Sequence, residues 1–122
     1  RIRHTCDLRE LMSLIDKIRK AREVGVEVNE KSFTIRRPTD EEAIRIGRDD
    51  MDMLAIVKRF TIGWDLTELD VIPGGTGIKL PFDADLFGEW VADEPTVWEP
   101  LAQAIMDAYK AHADKRESAV KN

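Results

Sequence analysis

Residues 73–79, Pro-Gly-Gly-Thr-Gly-Ile-Lys, combine glycines whose amides can approach an anion with a lysine able to add positive charge. The spacing argues against phosphate binding. A phosphate loop carries Gly-Lys-Ser/Thr into a helix N-terminus, whereas Lys79 is preceded by Ile78 and followed by Leu80-Pro81. The composition is that of a turn. Asp83, Asp85, Gly88 and Glu94 fall on positions 1, 3, 6 and 12 of a calcium-binding helix-loop-helix, where carboxylates wrap the ion around a glycine turn. Position 5 is Phe87, which cannot ligate, and Leu86, Phe87, Trp90 and Val91 follow helical spacing where that loop must be open. His4 and Cys6 are close enough to share a metal, but only the distant His112 is left to complete a site. No serine or cysteine is set beside a base and an orienting acid. The residues therefore read as a non-enzyme, with no cofactor and no metal.

The 122 residues fit one domain. Net charge is −5 and unevenly spread: residues 1–37 hold ten Lys/Arg against six Asp/Glu, and residues 38–122 hold nine against eighteen. A basic front on an acidic body points to contact with an acidic surface, or simply to solvated helix faces. For nucleic acid the candidates are the first helix and Arg36-Arg37, but the acidic body and the lack of a DNA-binding pattern make nucleic acid an unlikely partner. No apolar run approaches the roughly 18 residues of a membrane span, and the first residues lack the apolar core of a signal peptide. The single cysteine, Cys6, cannot form an internal disulfide and suits a reducing compartment, so a cytoplasmic location is expected. The chain starts at Arg1 and not at Met, from which a short upstream segment is expected.

The elements are expected to make a mainly α domain of about four helices, with a short β-hairpin near residues 26–36. Leu8, Leu11, Met12, Ile15 and Ile18 recur at helical spacing between Asp7 and Val24, with Asp7 or Thr5 as N-cap and Gly25 as the stop. Arg9, Lys17, Lys20 and Arg22 lie off that stripe, giving a basic outer face. Val26–Val28 and Ser32–Arg36 alternate apolar and polar residues around Asn29-Glu-Lys, the pattern of two strands and a turn. Thr39-Asp-Glu-Glu42 is a capping box that opens a helix running to about Thr61, with Gly47 or the Asp49–Asp52 segment able to divide it. Asp65–Lys79 reads as an extended loop, Asp83 as the cap of a short helix, and a last helix starts near Thr96 or at Glu99-Pro100. A basic helix and hairpin (1–37), a helical body (38–114) and a frayed tail (115–122) make up the single domain, residues 1–122.

Six of the eight aromatic residues fall between Phe60 and Trp98, which locates a core or an interface. Phe60-Thr-Ile-Gly63-Trp64-Asp65, a Gly-rich linker, Leu80-Pro81-Phe82-Asp83, a short helix through Trp90, and then Asp93-x-Pro95 before a final helix follow one another. This succession, over roughly the second half of the chain, resembles small phage and prophage tail assembly chaperones. The resemblance implies a small helical protein that serves virion morphogenesis in the host cytoplasm. Such a protein binds the long tape-measure protein, keeps it soluble and helps recruit tail-tube subunits, with no catalytic residue and no cofactor. Trp64, Phe82, Phe87 and Trp90 are the expected protein-binding anchors if exposed; each is otherwise core. Surplus apolar faces would also serve a homo-oligomer. The competing classes are a small regulatory or DNA-associated phage protein using the basic first helix, and a structural connector of the virion.

Overall fold

The structure, a computed structural model, describes residues 7–121. Asp7 starts the first helix, α1 (Leu8–Lys20), by accepting a 2.8 Å hydrogen bond from the Glu10 amide. The helix ends four residues earlier than Gly25 would stop it. Val24 and Gly25 instead belong to strand β1 (Glu23–Val28), paired antiparallel with β2 (Lys31–Arg36). The two-residue connection holds Asn29 at φ 51° and Glu30 at φ 66°. Positive φ at both central residues is the turn whose twist matches that of a hairpin.

Thr39 and Glu42 close the expected capping box at the start of α2 (Asp40–Arg48). The long helix expected from Asp40 to Thr61 is divided: Asp50 turns left-handed at φ 50°, and Asp52 caps a fresh helix, α3 (Met53–Phe60). After Phe60 the chain turns directly into a third strand, β3 (Thr61–Trp64), on the far side of β2. Its register runs Trp64↔Phe33, Gly63↔Thr34 and Thr61↔Ile35, so Ile62 is the extra residue of a bulge. The sequence reading had no strand here, because four residues are too few for alternation to stand out beside a helical stripe.

The Asp65–Lys79 segment is also more regular than expected. It carries a single turn of helix, α4 (Glu68–Val71), closed by a Thr67–Lys79 bridge. Asp83 caps α5 (Ala84–Val91), accepting from the Leu86 amide at 2.9 Å. The last helix, α6 (Pro95–Lys121), begins with proline at its first position, takes Pro100 into its second turn, and continues as helix through the residues expected to fray. Among the described residues the chain thus forms six helices and a three-stranded antiparallel sheet, where the sequence suggested about four helices and a hairpin.

Directly paired residues share a sheet face, so Val26, Phe33 and Trp64 form one row on the inner side and Val24, Ile35 and Thr61 the next. Against this face lie Val57 and Phe60 of α3, Phe87 and Val91 of α5, and Val97, Leu101 and Ile105 of α6, all buried. Val97, Leu101 and Ile105 recur every four residues, which holds one stripe of α6 on α3 and the sheet. Each such side chain stabilises the fold by about 1.5–3 kcal/mol relative to exposure.

Candidate protein-binding surface

The four expected anchors come together in space. Trp64 meets Phe82, Phe87 and Trp90 edge-on, with ring centroids 5.4, 6.0 and 6.1 Å apart, and Phe33 stacks on Trp90 at 6.2 Å. The Trp64 indole N–H donates to the Leu80 carbonyl at 3.0 Å, which fixes the ring against the end of the Gly-rich segment. Phe87 has no exposed surface, and Trp64, Phe82 and Trp90 are half-buried. This cluster joins β3, the segment before α5, and α5 itself. Its rings pack on one another, with Phe87 enclosed and Trp64, Phe82 and Trp90 keeping part of their surface exposed.

The uncovered apolar surface lies elsewhere. No residue of α1 is buried. Leu8, Leu11, Met12, Leu14, Ile15 and Ile18 are all exposed, from 45% to 72%. They form one broad stripe with the a/d spacing of a helix that packs on another helix. Lys17, Arg19 and Lys20 make the last turn basic. The sequence showed the stripe but not its fate, because amphipathicity says that a face needs cover and not what covers it. Leu14, on the same side, was missed.

Where α1 meets the body, a cleft of about 510 Å³ opens, lined by Arg19, Arg22, Arg36, Arg59, Glu42 and Ile62, among others. Its charged floor is self-satisfied. Both guanidinium amines of Arg36 donate to the Glu42 carboxylate, at 2.8 and 3.0 Å; the Thr39 amide donates at 3.0 Å, and Arg59 adds a contact at 3.4 Å. The Arg36 hydrogen bonds, supported by the Thr39 amide, hold the Glu42 carboxyl at about 2, well below its ordinary 4.5. Arg36 also stacks over the Phe60 ring at 4.5 Å. These groups tie β2, α2 and α3 together, so the Glu42 carboxylate serves as a structural tie.

A second cluster gathers on Asp40. Tyr109 O–H donates to it at 3.0 Å, Arg116 pairs with it, and His112 lies 3.8 Å away. The Tyr109 hydrogen bond, then Arg116, lower the Asp40 pKa. Residues one turn apart along α6 thus clasp the first turn of α2, and His112 sits at this helix-to-helix tie.

The Gly-rich segment uses its own amides. Glu68 takes the Thr76 N–H at 2.8 Å, and the Ile72 carbonyl takes that of Gly75 at 3.1 Å, so both point into the loop. Asp83 is engaged as a helix cap, and Gly88 lies within α5. His4 and Cys6 lie outside the described residues. Among the described residues no group of three His, Cys, Asp or Glu side chains is arranged to hold a metal, and no helix is long and apolar enough to cross a membrane. Comparison with family models, curated proteins and solved structures finds no match.

Proposed function

We propose that this chain is a non-enzymatic phage tail assembly chaperone, binding the tape-measure protein through an apolar helix surface during tail morphogenesis in the host cytoplasm. The observation that carries the reading is α1, with six large apolar side chains exposed along one stripe. A long helical client presents apolar stripes of the same kind, and helix-on-helix docking reads them at i, i+3, i+4 and i+7 spacing. The order of motifs from Phe60 to Pro95 supports the client's identity, and the closed aromatic cluster supplies a rigid body for the docking helix. The docking surface in this reading is α1, while of the expected anchors Phe87 is buried and Trp64, Phe82 and Trp90 are part-exposed.

Co-expression with the tape-measure protein of the same genome tests this. The chain should co-purify with that protein and raise its soluble fraction, and a Leu11→Glu/Ile15→Glu variant with an unchanged circular dichroism spectrum should lose both effects. Retention by the double variant, or no co-purification of the wild type, overturns the reading. The basic last turn of α1 favours one competitor, a DNA-associated protein. That reading requires a duplex shift that weakens steeply with salt.

A further inference from the structure

Strand β1 is an edge of the sheet, with β2 on one side only. The two-residue loop makes Val28 and Lys31 a hydrogen-bonded pair, and at the other end the Arg37 amide donates to the Arg22 carbonyl at 2.9 Å. Bonding to β2 therefore falls on the even-numbered residues of β1, and the N–H and C=O groups of Glu23, Gly25 and Glu27 point away from the sheet. All three residues are exposed, and among the described residues nothing pairs with these outward groups. The edge carries no lysine, proline or bulge of the kind that closes an edge to further strands.

Beside this edge a groove of about 440 Å³ runs between β1 and α6. Val24, Ala108 and Ala111 line it, the alanines leaving open the space that larger side chains of α6 would fill. Its charged lining is Arg22, Arg37, His112 and Lys115, with no carboxylate; Asp107 and Asp114 of the same stretch of α6 lie outside it. Arg22 and Lys115 enter no ion pair among the described residues, and Arg37 donates to the Pro38 carbonyl. Asp40, beside His112, is already held by Tyr109 and Arg116. Burial and then the neighbouring Arg22 lower the Arg37 pKa, with Asp40 offsetting only part of the effect. At the far end of β1 the sign reverses. Glu27 is exposed, and the hollow of about 310 Å³ that it lines contains Asp65 and no cation.

We infer that β1 accepts an extended segment of a partner protein as a further antiparallel strand, with an acidic side chain at the Arg22 end and a basic one at the Glu27 end. Antiparallel addition continues the pairing already present in the sheet and uses the outward groups of residues 23, 25 and 27. Alternation of side chains then fixes the pattern. Residues opposite Val26 and Val24 face α6 and are apolar, and the one opposite Arg22 faces the cationic groove and is Asp or Glu. The residue opposite Glu27 lies on the other face and is Lys or Arg. Along the partner this reads basic-apolar-x-apolar-x-acidic. A second copy fits less well. Of the two longest self-pairings that keep the valines on one face, the one centred on Gly25 sets Glu23 against Glu27 twice, and the one centred on Val26 carries Glu23 to the left-handed Asn29. The edge uses no residue of the α1 stripe, so its occupancy does not depend on a client of α1.

The peptide acetyl-Lys-Val-Thr-Val-Thr-Asp-amide, titrated into the full chain and followed by NMR, tests this. On binding, the amides of Gly25 and Glu27 should become protected from hydrogen exchange, while those of Val24 and Val26, already bonded within the sheet, should change little. The charge-swapped peptide acetyl-Asp-Val-Thr-Val-Thr-Lys-amide should bind about tenfold more weakly, and N-methylation of the residue opposite Gly25 should abolish binding. Glu27→Lys and Lys115→Glu alter exposed side chains; combined in one chain with an unchanged melting temperature, they should remove most of the difference between the two peptides. Equal affinity of the wild type for both peptides overturns the inference. So does the absence of binding, or binding that leaves the Gly25 and Glu27 amides unprotected. Protection of the same amides in the free chain as its concentration rises would assign the edge to a second copy, and overturns it too.

Discussion

The Asn29 side-chain amide donates a 3.2 Å hydrogen bond to the main-chain oxygen of Thr96, 67 residues away. Thr96 lies four residues before Pro100, and in a regular helix its oxygen would accept from the amide at position 100. Proline has no N–H to give. The left-handed hairpin turn thus supplies the donor that α6 lacks, and β1 and α6 are joined at the point where the helix is weakest.

Asn29→Gly keeps the left-handed turn and removes only the amide, so it should lower stability by about 1 kcal/mol. In a Pro100→Ala background, where position 100 regains its N–H, the same substitution should cost less than half as much. A double-mutant cycle in urea measures the coupling. Equal costs in both backgrounds would show that the two features are independent.

Glu42 predicts an acid-sensitive tie. Its folded pKa of about 2 lies below the ordinary 4.5, so its contribution is complete above pH 4.5 and is lost as pH falls toward 2. With the side chain only 14% exposed, the loss should amount to about 2–3 kcal/mol. Glu42→Gln should show a similar deficit at pH 7 and a flatter stability profile between pH 4.5 and 2. A variant as acid-sensitive as wild type in that window would assign the effect to other carboxylates.

The Gly-rich loop predicts an asymmetry between two glycines. A Cβ on Gly75 would lie 2.7 Å from the Glu68 carbonyl oxygen, against backbone that cannot turn aside, while one on Gly77 meets nothing within 4 Å. Gly75→Ala should therefore destabilise by about 1–3 kcal/mol, and Gly77→Ala should stay within about 0.5 kcal/mol of wild type. Thermal melts of the two variants compare them directly. Equal behaviour would mean that the α4 turn is not held as described.

Local chemistry was legible in the sequence wherever neighbouring residues decide it. Asp7, Thr39 with Glu42, and Asp83 cap the helices they were expected to cap, since a cap needs only a side-chain oxygen three residues from an amide. The Asn29-Glu30 turn and the break at Asp49–Asp52 were readable for the same reason. The crowding of aromatics between Phe60 and Trp98 also carried through as one packed cluster.

Only the tertiary structure decided what depends on a distant partner. Strand β3 exists because β2 lies beside it, and Pro100 is tolerated within a helix whose free Thr96 carbonyl is met by Asn29. Phe87 and Leu11 are both large and apolar in amphipathic helices, yet one is enclosed and the other is 45% exposed. Periodicity fixes which side of a helix is apolar through 3.6 residues per turn. Whether that side is covered depends on where the rest of the chain lies, and there α5 is enclosed by β2, β3 and α6 while α1 is left bare.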